Sequence, residues 1–169
     1  MMDGLAFVHN MLVGFGIRQH IKVIASGKIL SGFHILRAMA LGADGCNSAR
    51  AMMMALGCIQ ALLCNTNRCP TGITTQDPQL TVGLVVEDKK HRVANYHEDT
   101  VKSFVELLGA AGLEDMKQLT RSHIYRRVFM NEVRTFEDVF PSLQPGCLLN
   151  GNIPEKYKQD IEAASADRW

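Results

Sequence analysis

Ile21-Lys22-Val23-Ile24-Ala25-Ser26-Gly27-Lys28 is a short, β-branched and mostly apolar run that stops on a turn pair. A strand buried in a parallel sheet reads this way, and Ser26-Gly27 breaks it. Downstream, Phe33, Leu36, Ala40 and Leu41 mark one face of a helix, and Gly42 stands where a left-handed cap ends such a helix. The brief segment Gly45-Cys46-Asn47 follows, far enough along to pair in parallel with the first strand through a helical crossover. Asn47-Ser48-Ala49-Arg50 then opens a further helix. Upstream, Leu5, Val8, Leu12 and Phe15 recur at helical spacing and predict an amphipathic helix that ends near Gly14 or Gly16.

Two successive β-turn-α units, the second leading into a short helix, match the phosphate-binding corner of a (β/α)8 barrel, formed by the loops after its last two strands. A whole barrel takes about 250 residues, and the chain has 169. The expected fold is therefore α/β: the carboxyl-terminal portion of a TIM barrel, about its last two βα units, over residues 1–77. A helical extension is expected over 78–169. Within it, Asp88 to Ala111 turns from a charged segment into a helix carrying Val101, Phe104, Val105 and Leu108 on one face, with Gly112 as its stop.

Composition narrows the function classes. With 47% hydrophobic and 21% charged residues the chain folds around a core. Lys plus Arg number 18 against 17 Asp plus Glu, and a net charge of +1 provides no field to draw in nucleic acid or an anionic bilayer. The start, Met1-Met2-Asp3-Gly4, lacks the basic region of a signal peptide, and no apolar run reaches bilayer length. Five cysteines, three of them crowded together, suit a reducing compartment, so the expected location is cytoplasmic.

Those three are Cys58, Cys64 and Cys69, spaced C-x5-C-x4-C within residues 57–72. Soft thiolates clustered this closely are suited to a soft metal centre. Buried cysteines packed as small hydrophobes are the plainer reading, but Asn65-Thr66-Asn67-Arg68 is too polar for a core strand. Zinc competes as the metal and wants four ligands. Cys46 or a histidine could supply the fourth, but Cys46 falls on the second strand and Cys147 lies far away, and both are read as non-ligands. Met52, Met53 and Met54 are read as filling irregular core space. The six histidines show no metal-type pairing, and Arg126-Arg127 reads as solvated surface.

The stretch from Ile21 to Asp77, with Ala-Ser-Gly-Lys-Ile, Leu-Gly-Ala-Asp, Ala-Leu-Gly-Cys-Ile and Cys-Pro-Thr-Gly-Ile-Thr-Thr-Gln-Asp-Pro, resembles the FMN-binding domain of glutamate synthases. The resemblance extends over nearly the whole chain and lies nearest the shorter, stand-alone FMN-binding members of that family. It implies an oxidoreductase that forms L-glutamate from 2-oxoglutarate and glutamine-derived ammonia, using FMN and a 3Fe-4S cluster. It implies that Cys58, Cys64 and Cys69 are the cluster ligands. The turns Ser26-Gly27-Lys28 and Asn47-Ser48-Ala49-Arg50 would hold the FMN phosphate, through backbone N–H groups. At the second turn the larger synthases have Gly-Thr where this chain has Ala49-Arg50, which leaves the role of Arg50 open between phosphate clamp and solvated side chain. The electron donor would be ferredoxin or an NAD(P)H-linked subunit. The family's first six βα units are missing, so the fragment alone is expected to be inactive and its catalytic residues are not identified. The alternative is a small metal-binding or electron-transfer subunit that docks on a partner carrying the rest of the barrel.

Overall fold

The structure is a computed structural model and describes residues 1–165 and 167. It is a mixed α/β arrangement with two small sheets. The first helix, α1 (Met2–Gly14), buries Leu5, Ala6, Asn10 and Gly14. This is not the face expected from Leu5, Val8, Leu12 and Phe15, since Val8 stays 45% exposed. The helix is rotated because a polar residue, Asn10, is drawn inside. Its amide donates to the Pro141 carbonyl at 2.9 Å and the Tyr157 hydroxyl at 2.8 Å, and its oxygen accepts from Arg121 Nη2 at 2.8 Å. Arg121, itself 3% exposed, also donates to the Phe140 carbonyl. A hydrophobicity pattern cannot register such a network, in which each buried polar group is satisfied by another.

A 3₁₀ turn (Arg18–His20) leads to β1 (Ile24–Ser26), which starts three residues later than the apolar run beginning at Ile21 suggests. Asp44 accounts for the delay. Its carboxylate accepts the Val23 N–H at 2.8 Å and pairs with Arg18 at 2.6 Å, while its own N–H donates to the Val23 carbonyl at 2.7 Å. The Val23 N–H, with the Arg18 and Lys22 cations, holds the Asp44 carboxyl down to about 2.

Helix α2 (Gly32–Ala40) carries the chain to β2 (Gly45–Asn47), and the two strands pair in parallel with Ile24 opposite Gly45 and Ser26 opposite Asn47. Gly42 ends the crossover at φ +105°, and a Cβ there would lie 2.0 Å from His9 Nδ1, so both backbone and space demand glycine. Leu36, Ala38 and Leu41 from this unit join Leu5, Ala25 and Ile29 in the core.

Helix α3 (Ala49–Ala55) precedes a stretch without strand or α-helix, residues 57–77, closed by the short α4 (Pro78–Thr81), whose N-terminus is capped by Asp77. The long α5 (Val86–Ala110) lies across α2 and α3. Contact with α2 is close enough that a Cβ on Gly32 would meet the Phe104 backbone nitrogen at 2.4 Å.

The expectation of a helical extension over 78–169 needs correction. After α5 the chain forms an antiparallel hairpin, β3 (Tyr125–Phe129) and β4 (Glu132–Thr135), with a bulge between Arg127 and Phe129. Its inward alternation is weak, because most of its residues are exposed, and that is why no strand pattern stands out in the sequence. Arg126 and Arg127 are solvated on it. Helices α6 (Phe136–Val139) and α7 (Glu155–Ala163) follow, and α7 delivers Tyr157 to Asn10.

Candidate cofactor-binding site

Parallel pairing in this register sets the turns after β1 and β2 side by side at the carboxyl ends of the strands. The first turn curls sharply because Gly27 (φ +122°) and Lys28 (φ +55°) both take positive φ in succession. Ser48 locks the second turn to the first: its hydroxyl donates to the Ile29 carbonyl at 2.7 Å. Tyr96 of α5 buttresses the same place by donating to the Leu30 carbonyl at 2.6 Å.

A cavity of about 550 Å³ opens between these turns and the cysteine loop. Of the seven residues expected to hold a phosphate, Ser26, Gly27, Lys28, Asn47, Ala49 and Arg50 line it, whereas the Ser48 side chain is committed to Ile29. Lys28 and Arg50 are the charged residues of its wall, both cationic, so the polar end of the cavity suits an anion. Ile29, Met53 and Met54 add apolar surface, and Cys58, Gln60, Leu62 and Cys64 complete the lining. The methionines expected in irregular core space thus divide: Met53 and Met54 face this cavity, and Met52 faces a groove against α5.

The cysteine loop is shaped by local bonds. Gln60, Leu62 and Asn67 have φ near +60°, as do no other non-glycine residues described apart from Lys28. The Asn67 side chain accepts the Gln76 N–H and its carbonyl accepts the Thr75 hydroxyl, each at 2.6 Å, clasping the loop's two limbs. Gly72, at φ +77°, lies so near α4 that a Cβ would meet the Leu80 carbonyl at 2.4 Å.

Cys58, Cys64 and Cys69 all line one small second cavity, with Pro70 and Thr71. Their exposures differ: Cys64 is exposed, Cys58 intermediate and Cys69 only 8% exposed. Among the described residues no three His, Cys, Asp or Glu side chains converge on one point as ligands of a single ion do. The convergence of sulfurs expected from the spacing is therefore not realised, and the three thiols stand as a soft donor set spread around one cavity.

The surroundings of Cys69 fit that donor set. The Thr71 hydroxyl lies 3.3 Å from its sulfur and leads the donors, among them the Thr71 and Thr74 backbone N–H groups, that act on it. Led by Thr71, these donors bring the thiol down to about 6. The Thr74 oxygen is buried and has no hydrogen-bond partner. Cys46, by contrast, lies on β2, where burial pushes its thiol up, and neither it nor Cys147 lines either cavity. Thr71, Thr74, Gln60 and Leu62 carry no metal or phosphate signal in a sequence; the run Thr71-Gly72-Ile73-Thr74 beside the third cysteine is the nearest to one.

Among the described residues no helix is long and apolar enough to cross a membrane. The family described as the conserved region in glutamate synthase matches residues 1–114. The chain is 43% identical over 126 residues to the glutamate synthase large subunit-like protein YerD of Bacillus subtilis, covering 75% of this chain and 24% of that protein. It is 40% identical over 115 residues to the archaeal glutamate synthase (NADPH) of Methanocaldococcus jannaschii, covering 68% and 22%. To the glutamate synthase (NADH) of Saccharomyces cerevisiae it is 27% identical over 161 residues, covering 93% and 7%. The chain thus spans about a quarter or less of the length of these relatives. With two thirds of its residues inside the conserved region, the chain belongs to the glutamate synthase family.

Proposed function

We propose that this chain is the carboxyl-terminal portion of the FMN-binding (β/α)8 barrel of a glutamate synthase-type flavoenzyme. In this reading residues 1–77 supply the last two βα units and the cluster loop, and residues 78–169 form an extension. One observation carries it: a single cavity is walled on one side by the turns after two parallel strands and on the other by Cys58 and Cys64. Anion-binding turns beside soft thiolates are what an enzyme needs to hold a flavin phosphate close to an iron-sulfur centre.

The chain's own residues would divide the work. Gly27 and Lys28 present curled backbone to the phosphate, with Ser26 and Asn47 at the strand ends and Ala49 beside them. Lys28 and Arg50 neutralise its charge, and Ser48 keeps the two turns in register through Ile29. Met53 and Met54 exclude water between the phosphate end and the thiols. Cys58, Cys64 and Cys69 would hold a 3Fe-4S cluster, with the Thr71 hydroxyl 3.3 Å from the Cys69 sulfur favouring the thiolate form that ligation requires. When bound, the cluster passes electrons singly and FMN delivers a hydride in forming L-glutamate from 2-oxoglutarate and glutamine-derived ammonia. The relatives named for NADPH and NADH support a reduced nicotinamide as the electron source, and one from Arabidopsis thaliana named as ferredoxin-dependent supports ferredoxin. Five free cysteines suit a reducing cytoplasm.

Anaerobic reconstitution of the chain with ferrous iron and sulfide tests this reading. Iron and acid-labile sulfide should be retained by the wild type and by Cys147→Ser, and lost from Cys64→Ser, because a hard hydroxyl replaces one of three soft ligands. Equal iron in Cys64→Ser and wild type would overturn the assignment.

A further inference from the structure

The β3–β4 hairpin lies beyond the conserved region, which ends at residue 114, and neither cavity of the candidate site touches it. Its base is secured: Ile124 and Phe136 are buried, and the Phe136 N–H donates to the Ile124 carbonyl at 2.7 Å. Beyond that base Tyr125, Phe129, Met130 and Val133 are each more than half exposed, large apolar side chains without cover on a short ribbon. The sheet has two strands, so each keeps one edge without a partner strand. The two strands differ in what surrounds them. On β4, Asp138 accepts the Thr135 N–H at 2.9 Å, and Glu132 is paired with Arg134. Along β3 no side chain among the described residues bonds the backbone, and neither Arg126 nor Arg127 has a carboxylate within ion-pair distance. Arg127 spends one N–H on the Met130 carbonyl at 2.9 Å and is otherwise exposed.

We infer that the open edge of β3 is a docking site for an acidic, extended polypeptide segment, which adds to the hairpin as a third strand. The N–H and C=O groups of an open edge give affinity to an incoming strand, and the side chains beside them select it. Cross-strand partners share a face, so Tyr125 and Arg127 stand with Val133 on one face, and Arg126 and Phe129 stand with Arg134 and Glu132 on the other. Each face of β3 therefore offers one aromatic ring and one guanidinium. The complement is a strand with adjacent carboxylates, one for each face, flanked by apolar residues. A second copy of this chain does not supply it: β3 against β3 sets arginine beside arginine, and the Glu132 carboxylate of β4 is already paired. A nucleic acid answers the charge and the rings but brings no peptide groups to the edge.

Fluorescence anisotropy on the full chain tests this, with a labelled peptide of two adjacent glutamates flanked by valines as the probe. Binding should weaken as salt rises. It should fall about two- to fivefold in Arg126→Gln and likewise in Arg127→Gln, the worth of one exposed ion pair each, and be lost when both are changed to Glu. Lys102→Gln, on α5 and outside the hairpin, should match the wild type. N-methylation of the peptide backbone should abolish binding, since it removes donors that strand addition uses and charge attraction does not. The same peptide with lysines for glutamates should not bind. Failure of the acidic peptide to bind, equal binding of the N-methylated or lysine peptide, or unchanged affinity in the doubly reversed variant overturns the inference. Binding of oligothymidylate in place of the acidic peptide overturns it too and makes the ribbon a nucleic-acid contact. If a variant's urea midpoint falls, the N-methylated and lysine peptides on the wild-type chain decide.

Discussion

The α1–β1–α2–β2 unit and the cysteine loop sit side by side, yet they are held by different means. In the first, apolar side chains from three elements fill a common core, an ion pair joins Arg18 to Asp44, and a buried polar network fastens α1 to residues 121–157. In the loop, residues 57–77, the path is set by bonds that reach only a few residues, by positive φ at Gln60, Leu62 and Asn67, and by the contact of Gly72 with α4. Long-range contacts make the unit a cooperative solid; local ones make the loop a shaped but thinly supported rim. A region of the second kind gains most of its rigidity from what it binds.

The contrast is sharpest at Asn10. Asn10→Leu leaves the Arg121 guanidinium, the Tyr157 hydroxyl and the Pro141 carbonyl without their shared partner. Breaking a buried charged network costs about 3–5 kcal/mol, so the urea midpoint should fall steeply. A midpoint near that of the wild type would mean that the network does not fasten α1.

Asn67→Ala probes the other region. Loss of the two-limb clasp and of a residue suited to positive φ should cost about 1 kcal/mol or less in global stability, while iron retained after reconstitution drops severalfold. A fall in urea midpoint matching that of Asn10→Leu would break the comparison, because loop and core would then unfold as one unit.

The smallest effect is a pH slope. Burial, followed by the nearby Arg121 and Arg18 cations, lowers the His9 pKa, and Arg18 Nε donates to its Nδ1 at 3.1 Å. The unfolded histidine, near its ordinary 6.5, therefore binds a proton before the folded one does. The stability contributed is complete above about pH 6.5 and is lost as pH falls toward the folded pKa. Urea midpoints at pH 7.5 should exceed those at pH 5.5, and His9→Gln should flatten the difference. An undiminished slope in the variant would place its origin elsewhere.

Much of the strand-turn-helix order was legible because its causes are local. Apolar runs, the crossover length and Gly42 all act within a few residues, and the parallel pairing follows from them. The rotation of α1 was not legible, since Asn10 is buried by partners more than a hundred residues away. The delayed start of β1 was hidden for a similar reason, because Asp44 reads as a loop residue until it is seen to bond Val23. At the site, C-x5-C-x4-C drew attention to the three thiols, but spacing could not convey that Cys64 is exposed while Cys69 is buried beside Thr71. The hairpin escaped because solvated strands lack the alternation that burial imposes.

The bond from Asn10 to Tyr157 spans 147 residues. A ribosome adding about 5–20 residues per second needs roughly 7–30 s to traverse that interval. Throughout that time α1 is complete but lacks its Tyr157 partner, so this helix is fully secured only late. The nascent chain therefore carries an unsealed polar notch on α1 for seconds, a window in which a chaperone has access to a surface that the finished molecule conceals.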